Sequence, residues 1–494
     1  MELRGNYIRK YETATERDAD RWSENYYEPY VSATVENGEV DYNKDEYERL
    51  LGTPLTFIVE SDGAIKWVTT NANNKVTLEY SKNEGETWAQ VTSDVWASAP
   101  VISVASGETV MLRCANDTAS TANNNFSGTS CGFSLRGNIM SLLKKEGFAI
   151  MDSFPASSIF ARFFRTCTGL SDASELLLPV TALANNCYES MFESCTSLTA
   201  APELPATTLA NYCYMSMFLN CTSLTTVPSI LPAATLTNFC YHQMFKNCGG
   251  LVKAPEILGT TVVENCCHSM FYNCTAMTIP PTVLLSATLS NQCYKYMFKG
   301  CKSLATAPIL SATTLANNCY YGMFEDCTSL TQAPELPVTT LAESCYREMF
   351  YGCTSLTTAP ELPATTLVNN CYQMMFQNCT SLTTAPSVLA ATTLASNCYY
   401  NMFNSCTSLT TAPELPATTL TEKSYFQMFY NCRNLTYIKC LARDISASNC
   451  TYNWVTGVAA SGTFVKDSNM PVGTDGWPQG NNGVPANWTV QDAS

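Results

Sequence analysis

The sequence is short of charge, of histidine and of long apolar runs, and each shortage argues against a class of function. Only 14% of its 494 residues are charged, and 42 acids against 27 bases leave a net charge of −15. That balance repels a phosphate backbone and argues against nucleic acid as a partner. No apolar stretch reaches the roughly 20 residues of a membrane-spanning helix, so membrane insertion is not expected. The opening MELRGNYIRKYETATERDADRW has no apolar core of the kind a signal peptide carries. Taken as a natural start, it predicts a chain not exported by that route. Histidine occurs only at His242 and His268. Neither sits in a context that would orient a general base, and both are expected to be solvated surface side chains. Phosphate loops, dinucleotide fingerprints and HExxH motifs are missing, and no paired carboxylates stand in a recognisable catalytic context. The expectation is a non-enzyme with no cofactor and no metal.

What the sequence has is repetition. Near-copies of NNCYYGMFEDCTSLTQAPELPVTTLA (Asn317 to Ala342) fill residues 155–435. Aligned on their second cysteine, eleven units begin at Cys167 and end at Cys432, stepping by 26 or 27 residues after a first step of 28. A fixed period of this size marks a solenoid. In each unit apolar residues stand eight, seven, four and three places before the anchoring cysteine, as at Cys319, Tyr320, Met323, Phe324 and Cys327. That spacing predicts about two turns of helix with a broad inward face, capped by asparagine, then a turn and a short extended piece. Neither element is long enough to stand alone. Stacking resolves this, because each unit covers its neighbour and the extended pieces form a parallel ladder. At roughly 4.8 Å per strand, eleven units would span on the order of 50 Å. Twenty of the 25 cysteines occupy the two repeat positions. In the first unit Ile159 replaces the earlier cysteine and in the last Ser424 does, while Cys167 and Cys432 remain. Bridged partners should be lost together, so stacked buried thiols are expected rather than disulfides, and the spacing does not match zinc sites.

The MFxxCxSLxxxPxL phrase resembles the BspA-like leucine-rich repeats of bacterial surface proteins and of bacteriophages that infect gut Bacteroidetes. The resemblance implies a leucine-rich-repeat-like β/α solenoid. Proline inside the extended piece (Pro202, Pro228, Pro334, Pro360, Pro386, Pro413) departs from that pattern and implies short strands.

Ahead of the repeats, residues 1–52 are charged and rich in tyrosine, and are expected to be an attachment or assembly arm, partly helical between Glu12 and Tyr27. Residues 53–135 alternate short strands (LTFIVE, AIKWV, VTLEYS, VISVAS, TVMLRC) with turns. They are expected to form an immunoglobulin-like β-sandwich, a module that spaces and orients. Ser81 to Trp88 resembles a single Asp-box hairpin, with Asn83 in place of aspartate. Residues 136–165 bridge into the first unit as an N-terminal cap, and residues 436–494, with Trp477 and Trp488, form the C-terminal cap.

The outward positions of the units vary while the core letters hardly change. They carry Tyr272, Lys295, Tyr296, Lys299, Tyr321, Arg347, Tyr351, Tyr400 and Tyr430, and tyrosine on a rigid frame gives amphipathic contact at low entropic cost. These nine are the candidate binding residues, set against simple drift of unconstrained surface. Two other periodic features stand out: an intermittent acidic stripe (Glu203, Glu256, Glu335, Glu361, Glu414) and threonine ladders (Thr199, Thr225, Thr358, Thr384, Thr410) suited either to carbohydrate or to strand formation. The resulting expectation is a bacteriophage virion protein, a fibre or decoration. It would be assembled in the host cytoplasm, attached to other virion proteins through residues 1–52, and able to form a homotrimer. Its solenoid would meet a bacterial surface glycan or protein. A bacterial cell-surface adhesin is the alternative.

Overall fold

The computed structural model describes residues 44–493 except 119 and 474, together with five three-residue strands: Glu2–Arg4, Tyr7–Arg9, Tyr27–Pro29, Thr34–Glu36 and Glu39–Asp41. The helix expected between Glu12 and Tyr27 lies outside them, save Tyr27 at the start of a strand, and so does most of the arm. The chain divides into two compact units, Met1–Thr235 with Pro255–Leu258, and Leu236–Ala254 with Gly259–Ser494.

In the first unit a helix, Lys44–Leu51, leads into a six-stranded sheet. The strand order is Ala89–Thr92, Thr77–Ser81, Thr109–Cys114, Leu55–Val59, Phe133–Asn138, Leu170–Leu177. The pairs are antiparallel except the last, where Phe133–Asn138 runs parallel to Leu170–Leu177. An immunoglobulin-like sandwich needs two packed antiparallel sheets. Here the other described strands of the module form only two-stranded pairs, Gly63–Lys66 with Val101–Val104 and Val68–Thr69 with Asn124–Asn125, and the edge strand is borrowed from the first repeat. The immunoglobulin-like expectation is therefore not established. The aromatic core explains the merger: Phe57, Trp67 and Phe126 pack with Phe163 and Phe164 of the first coil, for example Phe126 to Phe163 at 5.3 Å, and Phe133 stacks on Phe57. The Ser81–Trp88 segment is a hairpin link in which the Asn83 carboxamide accepts the Thr87 N–H at 3.0 Å and the Trp88 indole donates to the Gly85 carbonyl at 2.9 Å.

The repeats stack as coils of about 26 residues, but the helix expected in each is not there. The only described α-helix is Lys44–Leu51. The stretch before each anchoring cysteine is instead a ribbon of turns in which every fourth residue is left-handed: Asn186, Ser190 and Ser194 (φ 57°, 52° and 61°) in one coil, Asn318, Gly322 and Asp326 (φ 56°, 57° and 59°) in another. A right-handed helix cannot absorb such residues, and the hydrogen bonds show what replaces it. Alternate N–H groups close local three-residue turns, as Cys319 to Ala316, Tyr321 to Asn318 and Met323 to Tyr320. The others donate to the following coil: Asn318 to Glu343, Tyr320 to Cys345, Gly322 to Arg347, Phe324 to Met349 and Asp326 to Tyr351, at 2.7–3.1 Å. Every backbone donor from Asn318 to Cys327 is thereby paired without a helix. The left-handed positions of a further coil, Asn449, Asn453 and Gly457, continue the ribbon past Cys432.

Inside each unit the repeated letters form columns. Phenylalanines three before the cysteine lie 5.4–5.8 Å apart with planes within 11°, from Phe164 to Phe218 in the first unit and from Phe245 to Phe429 in the second. Tyrosines seven before it form a second column, such as Tyr320 to Tyr346 at 5.9 Å. All 25 cysteines are free and buried. The anchoring thiol also makes a hydrogen bond. Cys327 Sγ donates to the Phe298 carbonyl of the preceding coil at 3.1 Å, and Cys353, Cys379 and Cys406 repeat the contact. Burial pushes these thiols up, Cys301 and Cys432 to about 12.

The extended pieces pair only briefly, as the prolines predict. Parallel two-residue strands occur at Ile230–Leu231 with Glu256–Ile257 and at Val283–Leu284 with Ile309–Leu310. In the second pair the N–H groups of Ile309 and Ser311 donate to Thr282 and Leu284. In the two following coils Pro337 and Pro363 occupy the place of Ser311 and have no N–H to give. At the end of the second unit the parallel strands Tyr437–Cys440, Thr463–Lys466 and Thr489–Asp492 close the stack. Trp477 lies 5.4 Å from Trp454, and the Trp488 indole donates to the Ala459 carbonyl at 2.8 Å.

Candidate functional site

The alternating ribbon decides which side chains point out. Counting back from each anchoring cysteine, places eight, seven, four and three are buried, while place six and, in most coils, place two are half-buried and reach the surface. Place five is buried in some coils, as at Gly322, and half-buried in others, as at Tyr296. Consecutive coils therefore line up His242, His268, Lys295, Tyr321 and Arg347 in one column and Lys246, Tyr272, Lys299, Glu325 and Tyr351 in the next. Tyr296 stands between them, over Gly322 of the following coil.

Seven of these side chains interlock. Lys295 Nζ lies 4.8 Å from the Tyr321 ring centre and 5.4 Å from that of Tyr296. Lys299 sits 4.8 Å from Tyr296, Arg347 5.1 Å from Tyr321, and Lys246 4.8 Å from Tyr272. Tyr296 and Tyr321 are 5.0 Å apart. These are cation–π distances, and the alternation of cation and ring along the stack holds Tyr272, Lys295, Tyr296, Lys299 and Tyr321 each between two partners. Lys299 is also bonded to Glu325 at 2.8 Å, and Arg347 to Glu348 at 3.1 Å. Burial pulls the Lys295 ammonium down. Burial pushes Tyr296 up, reinforced by its bond to Tyr321. Burial also opposes the charge on Lys299, but Glu325 outweighs it and holds the ammonium above its usual range. Glu325 itself is raised by burial despite Lys299, and its Oε2 is buried without a partner among the described residues.

Of the nine candidate residues, the structure joins Tyr272, Lys295, Tyr296, Lys299, Tyr321 and Arg347 into this patch. Tyr351 and Tyr430 lie half-buried in the same second column without a ring contact to it. Tyr400 belongs to a separate aromatic stack, 4.7 Å from Phe426, which in turn lies 5.0 Å from Tyr452. Sequence reading missed Lys246, Gly322, Glu325, Phe426 and Tyr452, although counting from the cysteine places Lys246, Glu325 and Phe426 in the same columns and Gly322 in the place of Tyr296. The histidines are a correction. They are not freely solvated: their rings lie 4.9 Å apart and the Nδ1 atom of each is buried without a partner among the described residues. Burial, with Lys246 nearby, lowers His242 to about 4; burial, with His242 and Lys295, lowers His268 to about 3. Threonine hydroxyls next to the extended pieces are engaged by the fold, as Thr225 Oγ1 donates to the Thr199 carbonyl at 3.2 Å and Thr383 Oγ1 to that of Thr357 at 3.2 Å. In the acidic stripe Glu414 pairs with Lys439 at 3.0 Å, and Glu361 accepts the Ser387 N–H at 3.1 Å. Among the described residues no three metal-binding side chains converge, and no helix is long and apolar enough to cross a membrane.

A family model described as a BspA type leucine rich repeat region matches six copies over residues 186–331, 243–383 and 321–453, together more than half of the chain. Among solved structures, a leucine-rich repeat protein from Bacteroides ovatus is similar at 15% identity over 69% of this chain and 88% of its own, with a TM-score of 0.35. One from Eubacterium ventriosum shows 15% identity over 71% and 94%, with a TM-score of 0.26. The T. pallidum leucine-rich repeat protein shows 14% identity over 56% and 83%, with a TM-score of 0.18. No curated protein matches the chain.

Proposed function

Since the chain belongs to the family of BspA-type leucine-rich repeat proteins, we propose that its repeats are a binding scaffold and that the aromatic and cationic patch centred on Lys295, Tyr321 and Arg347 is the surface it presents. The observation that carries this reading is the interlocking itself: rings and cations held at 4.8–5.4 Å are ordered before any partner arrives. Pre-ordered tyrosine and arginine lose little entropy on binding and dominate binding energy at interfaces. The finer reading is a non-enzymatic bacteriophage virion protein, a fibre or decoration, that meets a bacterial surface glycan or protein and joins other virion proteins, or two copies of itself, through residues 1–52. Many unpaired thiols suit assembly in a reducing cytoplasm.

The test is direct. Labelled full-length protein is incubated with cells of the source culture, beside the variant Lys295→Ala/Tyr321→Ala/Arg347→Ala. A drop of about 10-fold or more in cell-bound protein is expected, and undiminished binding would refute the patch. A protein inventory of purified phage particles from that culture decides the setting. Its absence there, with presence on washed cells, would replace the virion reading with a bacterial adhesin.

A further inference from the structure

Between coils six and eight of the repeat the parallel ladder is kept at Thr331 and at the Gln332–Thr358 bridge and opens in the extended pieces that follow. In the coils APILS, APELPV and APELPA the extended pieces run Ala307–Ser311, Ala333–Val338 and Ala359–Ala364. The first is bonded to its predecessor through Ile309 and Ser311. The second and third have proline, Pro337 and Pro363, where Ser311 gives its N–H. Among the described residues, the N–H groups of Glu335 and Glu361 then find no hydrogen-bond partner, and neither do the carbonyls of Leu310 and Leu336. The coil APELPA at Pro413 shows that the second proline alone is not enough, because there Glu414 still donates to Ser387 at 3.1 Å. Two such coils in succession leave a trough. It holds adjoining cavities of about 410 and 540 Å³ that share Gln332, Ala333, Glu335 and Pro337.

The lining is of one kind throughout: proline rings, alanine methyls and the 63%-exposed Ile309 as apolar platforms, with Gln332, Glu335, Glu361 and threonine hydroxyls between them. It contains no basic and no aromatic side chain. We infer that this trough binds an extended neutral oligosaccharide, one sugar to a coil, independently of the tyrosine patch. The coil repeat of roughly 4.8 Å is close to the advance per residue of an extended β-linked glycan. Each pyranose would rest a C–H face on a proline ring. Its hydroxyls would donate to Glu335, Glu361 and Gln332 Oε1 and accept from the unpaired peptide N–H groups. Unsatisfied donors and acceptors at a fixed repeat match a polyhydroxylated chain better than a protein strand. A strand would have to part coils that the ribbon ladder holds together on their other side.

The test titrates the full-length protein with cellohexaose, chitohexaose and mannohexaose, with hexalysine as the competing chemistry, by calorimetry to about 10 mM ligand. At least one hexaose is expected to bind. Glu335→Gln/Glu361→Gln should weaken it by about 10-fold or more. Pro337→Ser/Pro363→Ser, which returns the missing N–H groups and lets the ladder close, should abolish it without lowering the thermal midpoint. The patch variant Lys295→Ala/Tyr321→Ala/Arg347→Ala should bind the sugar unchanged. Silence with all three hexaoses, binding of hexalysine alone, or sugar binding that survives Glu335→Gln/Glu361→Gln would overturn the inference.

Discussion

Cysteine is a sound choice for the anchoring position because the site needs a small, buried group that is nearly apolar yet donates one weak hydrogen bond. The Phe298 carbonyl takes its own coil's N–H from Cys301 and the next coil's thiol from Cys327. Alanine there would lose the second donor, and a larger side chain would meet the stacked rings. Histidine poses the opposite case, a titratable group the fold half-buries with no bond for Nδ1 among the described residues. His242 and His268 take up protons near pH 6.5 when unfolded but only near 4 and 3 when folded. The unfolded chain therefore holds more protons between those values. Their effect on stability is neutral above about pH 6.5 and increasingly unfavourable to the fold as pH falls toward 4. Denaturation midpoints of His242→Gln/His268→Gln should accordingly fall less than those of the unaltered protein across that window. Parallel curves would mean that the rings are better hydrated than their burial indicates.

At the scale of the element, the ribbon is where sequence reading and structure part. Apolar residues at i, i+1, i+4, i+5 and i+8 fit a helix of 3.6 residues per turn and equally a ribbon that repeats every four. The deciding signal was in the other letters. The residue just before the anchoring cysteine is Ser, Asn, Gly or Asp in every coil from Ser194 to Asn431, a set chosen for tolerance of left-handed backbone rather than for solvent. The solenoid, its period and the buried columns could be read from spacing alone. So could the neighbours in the patch, since residues 26 apart stack. The open trough could not, because the same APELPA phrase keeps its ladder bond at Glu414 and loses it at Glu361, a difference of backbone path that the letters do not carry. Gly322 links this element to the site: its φ is 57°, and a Cβ there would come within 2.4 Å of the Tyr296 ring. Gly322→Ala should cost about 1–2 kcal/mol for the backbone and dislodge Tyr296 as well, whereas Asn378→Gly, at φ 63°, should change stability by less than about 0.5 kcal/mol. Urea midpoints of the two variants compare them directly, and equal shifts would argue against strain as the cause.

At the scale of the whole molecule, a stack in which each coil touches only its neighbours confines damage to where it occurs. Trp477 is fully buried against Trp454 and Phe464 at the close of the second unit. Trp477→Ala should cost about 3–5 kcal/mol. The loss should show as faster amide exchange in the coils around Asn449–Gly457 and Lys423–Asn431, with coils near Cys274 unchanged; uniform loss of protection would mean that the unit melts as one body. The ribbon ladder carries a last consequence, in electrostatics. Its inter-coil N–H groups all point from one coil to the next in chain order, so within a unit their peptide dipoles add as they do along a helix axis, but with the opposite sense. The positive pole gathers at the closing end, where bare donors would otherwise face outward. There the chain supplies its own acceptors: Asn453 N–H donates to the Asn482 side chain at 2.6 Å and Val455 N–H to the Asn481 carbonyl at 3.3 Å. The tail thus works as a partial insulator on a polar stack, occupying two of the donors that would otherwise face outward at that end.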